Sequence, residues 1–148
     1  MLFGLRILPM FLVMGGIFFF SHQPGDALRL PLIPGIDKIA HMVVYGLLAV
    51  TLLWLLGTGK REHVAGAALK TVIVCLLYGM SDEWHQSFIP YRSVSVFDLL
   101  ADLAGSMLVA AIWLRSKAFR ACLKVRYVTI ALKSRGCNGN KSCKDSGV

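Results

Sequence analysis

The chain has 148 residues, of which 56% are hydrophobic and 16% charged, and it carries a net charge of +8. A soluble domain of this size carries about 25% charged residues, so an ordinary water-soluble globule is excluded, and the length leaves room for one domain. A bilayer, rather than a protein core, is what hides apolar sequence on this scale.

Four apolar runs follow one another along the chain. The first spans Leu2 to Phe20, with Arg6 as its single charge. It competes with a signal peptide, but its apolar run is long for one, and no small-x-small cleavage pattern follows Phe18-Phe19-Phe20-Ser21. Pro24-Gly25, Pro31 and Pro34-Gly35 make residues 21–36 a loop. The second run, Ile36 to Leu56, closes at Gly57-Thr58-Gly59 and is followed by the charged loop Lys60 to His63. The third runs from Val64 to Trp84, with Lys70 snorkelling outward and Pro90 ending the helical pattern. The fourth is Val96 to Leu114. Each is close to the roughly 20 residues that cross hydrocarbon as a helix. The expected fold is all-α: a four-transmembrane-helix bundle over residues 1–114.

Residues 115–148 form a basic cytoplasmic tail with nine Lys or Arg and one acid, Asp145. Ala118, Cys122, Val125 and Leu132 recur at helical spacing opposite Lys117, Arg120 and Lys124, which predicts a basic amphipathic helix lying on the membrane surface. Beyond Ser134, Gly, Asn, Ser and Lys predict a disordered tail. Such a tail neutralises anionic headgroups, so membrane lipids are the expected partners. No aromatic interleaving or recognition motif points to nucleic acid. Cys75 lies in an apolar run and reads as a small hydrophobe, while Cys137 and Cys143 read as free thiols, since a zinc site wants closer cysteine pairs.

The polar residues of the runs collect at one end. Asp37, His41 and Tyr45 stand at i, i+4 and i+8 of the second run and share a face. Asp82, Glu83, His85 and Gln86 end the third. Asp98 and Asp102 share a face of the fourth, with Asp102 about 6 Å deeper at the helical rise. Arg92 lies in the intervening loop. Gly46, Gly79 and Gly105 are small enough to let helices approach closely. Charged groups beside a span are costly and point to function. Each also has a plainer reading: Asp37 and Asp98 complement helix N-termini, His41 packs, His85 faces water, Lys38 faces headgroups, and Trp54, Trp84 and Trp113 sit at interfaces. Carboxylates with histidine perform acid–base work or hold a cation, and Arg clamps phosphate or carboxylate. No zincin, nucleophile-elbow or nucleotide-loop signature is present, so no reaction is readable.

These residues carry a resemblance. Asp37-Lys38-Ile39-Ala40-His41 with Tyr45, then Ser81-Asp82-Glu83-Trp84-His85-Gln86-Ser87-Phe88-Ile89-Pro90 with Arg92 and Ser93, then Asp98 and Gly105, resemble the VanZ-like family. Its pattern is roughly D-K-x-x-H-x-x-x-Y, D-E-x-x-Q-x-F-x-P-x-R and D-x-x-x-N-x-x-G. Asp102 departs from it, standing where the family commonly has Asn. The family takes its name from a protein associated with low-level resistance to teicoplanin, and the resemblance implies an envelope role.

Three readings follow. In the first, Asp37, His41, Tyr45, Glu83, Gln86, Arg92, Asp98 and Asp102 shape an outer-face site for a lipid headgroup, a cell-wall lipid intermediate or a glycopeptide-like ligand, with Arg92 holding an anionic group. In the second, the chain is a membrane enzyme acting on a lipid-linked substrate, with His41 and Glu83 as acid–base candidates and Asp98 with Asp102 as metal-ligand candidates. In the third, the polar groups lock the helices together. No cofactor or established metal set is assigned, and nothing in the sequence sets an oligomeric state.

Topology follows from charge. With four spans, Arg6, Lys60, Arg61 and the nine tail cations share one side, against Arg29, Lys38 and Arg92 on the other. The positive-inside rule puts both termini in the cytoplasm of a plasma-membrane protein. Reporter fusions after Leu56 and after Leu114 are both expected to read cytoplasmic. An external signal from the second fusion excludes this topology.

Overall fold

The computed structural model describes residues 2–24, 35–56 and 64–123. Among them are five helices and no strand: α1 (Leu2–Ser21), α2 (Ile36–Leu56), α3 (Val64–Gln86), α4 (Val96–Arg115) and a short α5 (117–123). The four apolar runs are therefore four helices, with ends within about two residues of those the sequence predicts. The loops around Pro31 and around Lys60 to His63, the amphipathic pattern beyond Leu123, the predicted disorder after Ser134, and Cys137 and Cys143 lie outside the described residues.

Local chemistry sets the boundaries. Gly35, at φ +86°, turns the chain into α2, and Asp37 stands in its first turn, where an acid complements the helix dipole. α3 continues to Gln86, two residues past Trp84. Its last bonds then tighten to i→i+3 type, Phe88 N–H to His85 and Ile89 N–H to Gln86, before Pro90 stops the run. Ser95 is the N-cap of α4 and Asp98 stands in its first turn. Ser116 ends α4, and its hydroxyl accepts the Phe119 N–H to open α5. Arg120 folds back onto the Trp113 and Leu114 carbonyls at the end of α4.

α2, α3 and α4 are each long and apolar enough to cross a membrane, and the Arg6–Ser21 stretch of α1 is a shorter apolar helix. Leu47, Leu69, Ile73, Leu77, Leu108 and Ile112 face outward, the pattern of helices solvated by hydrocarbon. Inside, Ile17, Tyr45, Leu48, Ala49, Leu52 and Cys75 form one core, so Cys75 packs as a small hydrophobe. Leu53, Ala67, Ala68, Ala110 and Trp113 form a second core toward the other end. Trp113 is not the interface residue its position suggests. It is 1% exposed, donates its indole N–H to the Val64 carbonyl and meets the Phe119 ring edge-on. Trp84, 70% exposed, does stand at the surface.

α2 packs most extensively on α4. These two helices run parallel, and Gly105 lies directly on the α2 backbone: a Cβ there would collide with the Met42 carbonyl oxygen and come within 2.8 Å of its carbon. Overpacking of this kind costs about 1–3 kcal/mol. Gly105→Ala is therefore expected to lower the melting temperature of the purified protein in detergent, whereas Gly66→Ala, which opens onto free space, should leave it unchanged or slightly raised.

Candidate functional site

The ends of α1 and α3 and the starts of α2 and α4 meet at one end of the bundle, so the polar residues arrive there from four helices and the 87–95 loop. α2 and α4 deliver a ladder of polar pairs. Lys38 Nζ bridges Asp37 Oδ2, at 3.0 Å, and Asp98 Oδ1. One turn deeper, His41 Nδ1 lies 3.0 Å from Asp102 Oδ1, where Asp102 is 1% exposed. A carboxylate offers only acceptors, so Nδ1 carries the proton and Nε2 is left as the imidazole's second functional nitrogen.

α3 contributes a second group. Ser21 Oγ on α1 donates to Asp82 Oδ2 at 2.9 Å, and Gln86 Nε2 donates to the same oxygen at 3.0 Å. Glu83 Oε2 accepts the Ser95 N–H at 2.9 Å, satisfying the donor at the N-cap of α4. The loop contributes Arg92, whose Nη2 and Nε donate to the carbonyls of Phe20 and Gln23 at 2.9 and 3.3 Å. Both carbonyls lie at the C-terminal end of α1, where a cation complements the helix dipole, and the Phe20 carbonyl also accepts the Gln23 N–H. His22 and His85 stack, with Nδ1 and Nε2 3.3 Å apart, and Phe18 stacks on His85.

Between these groups is a cavity of about 490 Å³. Asp37, His41, Tyr45, Asp82, Gln86, Arg92 and Asp98 line it, together with Ser21, Tyr91 and Ser93. One wall is apolar, made by Ile17 and Phe20 of α1 and Ala40 and Val44 of α2. Of the candidates named from sequence, Asp37, His41, Tyr45, Gln86, Arg92 and Asp98 share this cavity. Glu83 and Asp102 are not in its lining. They are buried, Glu83 capping α4 and Asp102 paired with His41. At this end of the bundle, three buried polar atoms have no hydrogen-bond partner among the described residues: the Tyr45 hydroxyl, Asp102 Oδ2 and Glu83 Oε1.

Two assignments change. Lys38 is not simply a headgroup-facing charge: it ties α2 to α4. His85 stacks on His22 and Phe18 rather than standing alone in water. Sequence reasoning missed Ser21 and Tyr91, for which there is no local signal; the i, i+4 spacing places Asp82 and Gln86 on one face but does not show that they bond each other. Among the described residues, no three His, Cys, Asp or Glu side chains gather in a way that could hold a metal ion, so Asp98 and Asp102 do not form a metal cradle with a third such ligand there.

The family profile described as VanZ/LLP1 matches residues 6–120. The chain belongs to the VanZ/LLP1 family. Together with its apolar helices, this makes it a helical membrane protein. It is 33% identical over 104 residues to the Schizosaccharomyces pombe protein named uncharacterized protein C11E3.10, a match covering 70% of this chain. The chain spans about three fifths of the length of that relative, 59%. No solved structure matches.

The His41–Asp102 pair gives a direct test of this geometry. Removing one member of a buried pair costs about 3–5 kcal/mol, because the other is left without compensation. His41→Ala is expected to depress thermal stability strongly. Adding Asp102→Ala should restore part of the loss, and a double-mutant cycle with no coupling would reject the contact.

Proposed function

We propose that this protein spans the plasma membrane four times, with both termini in the cytoplasm, and binds the polar head of an amphiphile in the cavity at its outer face. Residues 1–114 form the membrane domain, and residues 115–148 form a basic tail that associates with anionic lipid. The observation that carries the reading is the mixed lining of the cavity: polar His41, Tyr45, Asp82 and Gln86 together with apolar Ile17, Phe20, Ala40 and Val44. Phe20 and Val44 both line the cavity and are exposed on the outside of the helices. A ligand can therefore keep its head among polar groups and its chain in hydrocarbon. A volume of about 490 Å³ lies within the range of small-molecule sites. Membrane lipid headgroups, lipid-linked cell-wall intermediates and glycopeptide-like ligands share this division. An envelope role, with glycopeptide resistance as one outcome, follows where the occupant is a cell-wall intermediate.

One observation favours a second reading, catalysis on a lipid-linked substrate. His41 lines the cavity with Nδ1 fixed by the buried Asp102, the arrangement that leaves Nε2 poised as a general base. Glu83, the other acid–base candidate, is not in the cavity lining and accepts the Ser95 N–H, so it is the weaker of the two.

Ala40 sits in the apolar wall and is exposed, so a larger side chain there fills the cavity without disturbing the core. Ala40→Phe is expected to reduce the lipid that co-purifies with the protein, measured by native mass spectrometry, while the melting temperature in detergent stays the same. Undiminished lipid in a well-folded Ala40→Phe protein would remove the cavity from consideration as the binding site.

A further inference from the structure

The charge around the cavity is unbalanced. Among the described residues, five carboxyl groups collect at this end of the bundle, Asp37, Asp82, Glu83, Asp98 and Asp102, with two permanent cations, Lys38 and Arg92. Lys38 is spent on Asp37 and Asp98, and Arg92 on the carbonyls of α1. Glu83 and Asp102 each keep one buried oxygen without a hydrogen-bond partner. A low-dielectric site with surplus acid favours a cation inside it and disfavours an anion.

The lining is also aromatic where it meets the outside. Tyr91 and Phe20 line the cavity while remaining 84% and 60% exposed, so both residues are reachable from outside it. Tyr45 lines it from within, 1% exposed, with an unpartnered hydroxyl. Tyr91 adopts φ +61°, a left-handed backbone that a bulky side chain occupies at a cost. Strain of this kind gathers at ligand clamps. Aromatic rings around a negative pocket are the chemistry that recognises alkylammonium groups.

We infer that the group bound in this cavity is an ammonium carried by a lipid, as in a choline or ethanolamine phospholipid, held between the carboxylates that line it, Asp37, Asp82 and Asp98, and the aromatic residues Tyr91, Phe20 and Tyr45. The apolar wall of Ile17, Phe20 and Val44 favours a lipid over a free amine, because it receives the chain that a soluble amine lacks. This rests on the reading of the cavity as an amphiphile site and adds the charge of the head.

The test is binding to the full-length protein in neutral maltoside micelles, with short-chain phosphatidylcholine, short-chain phosphatidylglycerol and free choline as probes. Phosphatidylcholine is expected to bind about tenfold or more tighter than either of the others, the factor that one desolvated cation–π and charge contact supplies. Tyr91→Gly removes the ring and suits the left-handed backbone, so folding is preserved. It should weaken phosphatidylcholine about tenfold and leave phosphatidylglycerol unchanged, and Tyr91→Trp should retain tight binding. Phosphatidylglycerol binding as tightly as phosphatidylcholine, or a Tyr91→Gly protein with unaltered affinity, overturns the ammonium assignment and leaves the amphiphile site standing. Free choline binding as tightly as the lipid overturns the lipid as its source. Failure of both lipids to bind removes the amphiphile site itself.

Discussion

The polar end of this protein depends on how closely α2 and α4 approach. The two helices run parallel, and the absence of a side chain at Gly105 lets its backbone rest on the carbonyl of Met42. That contact fixes the register of everything on either side of it. His41, the neighbour of Met42, is brought to Asp102, and one turn nearer the end Lys38 is brought to Asp98. Deeper in the bundle, Gly46 lies against Gly105 and Val109 in ordinary contact. Helices that associate in lipid gain little from the hydrophobic effect and rely on such backbone proximity and on polar pairs between them. Here the two devices occupy adjacent turns, so the packing contact and the ladder of polar pairs reinforce one another.

The acids at this end are compensated in different ways. Asp37 and Asp98 stand in the first turns of α2 and α4, where the helix dipole favours them, and they also share Lys38. Asp82 and Glu83 lie in the last turn of α3, where the dipole is unfavourable, and each recruits neutral donors instead: a hydroxyl and an amide for Asp82, a backbone N–H for Glu83. Asp102 has one histidine. Neutral donors stabilise a carboxylate by less than a cation does. The compensation is therefore weakest where the carboxyl groups are most buried.

The helices were legible because their signals are local. Apolar runs of about twenty residues bounded by Pro and Gly define α1 to α4, and the i, i+4, i+8 spacing of Asp37, His41 and Tyr45 correctly put them on one face. Asp98 and Asp102 were legible as one face of α4, but which of them would meet His41 and which Lys38 depends on the rotation of α4 about its axis, set by Gly105. The sequence leaves Arg92 free to meet an anion, because nothing in the 87–95 loop announces that its guanidinium reaches α1. Trp113 illustrates the same limit from the other end. Its position marks it as an interface aromatic, but Leu53 of α2, Ala67 and Ala68 of α3 and the return of α5 after Ser116 enclose it.

The attachments of α1 have a consequence for biosynthesis. Ser21 bonds Asp82, His22 meets His85, the Met14 carbonyl receives the Tyr78 hydroxyl, and Arg92 reaches the Phe20 and Gln23 carbonyls. Every one of these partners lies more than 60 residues downstream. α1 leaves the ribosome first, yet its polar fastenings do not exist until α3 and the loop after it have been made. Until then none of these bonds holds the first helix, and the wall it contributes to the cavity is fastened only after Arg92 has been made.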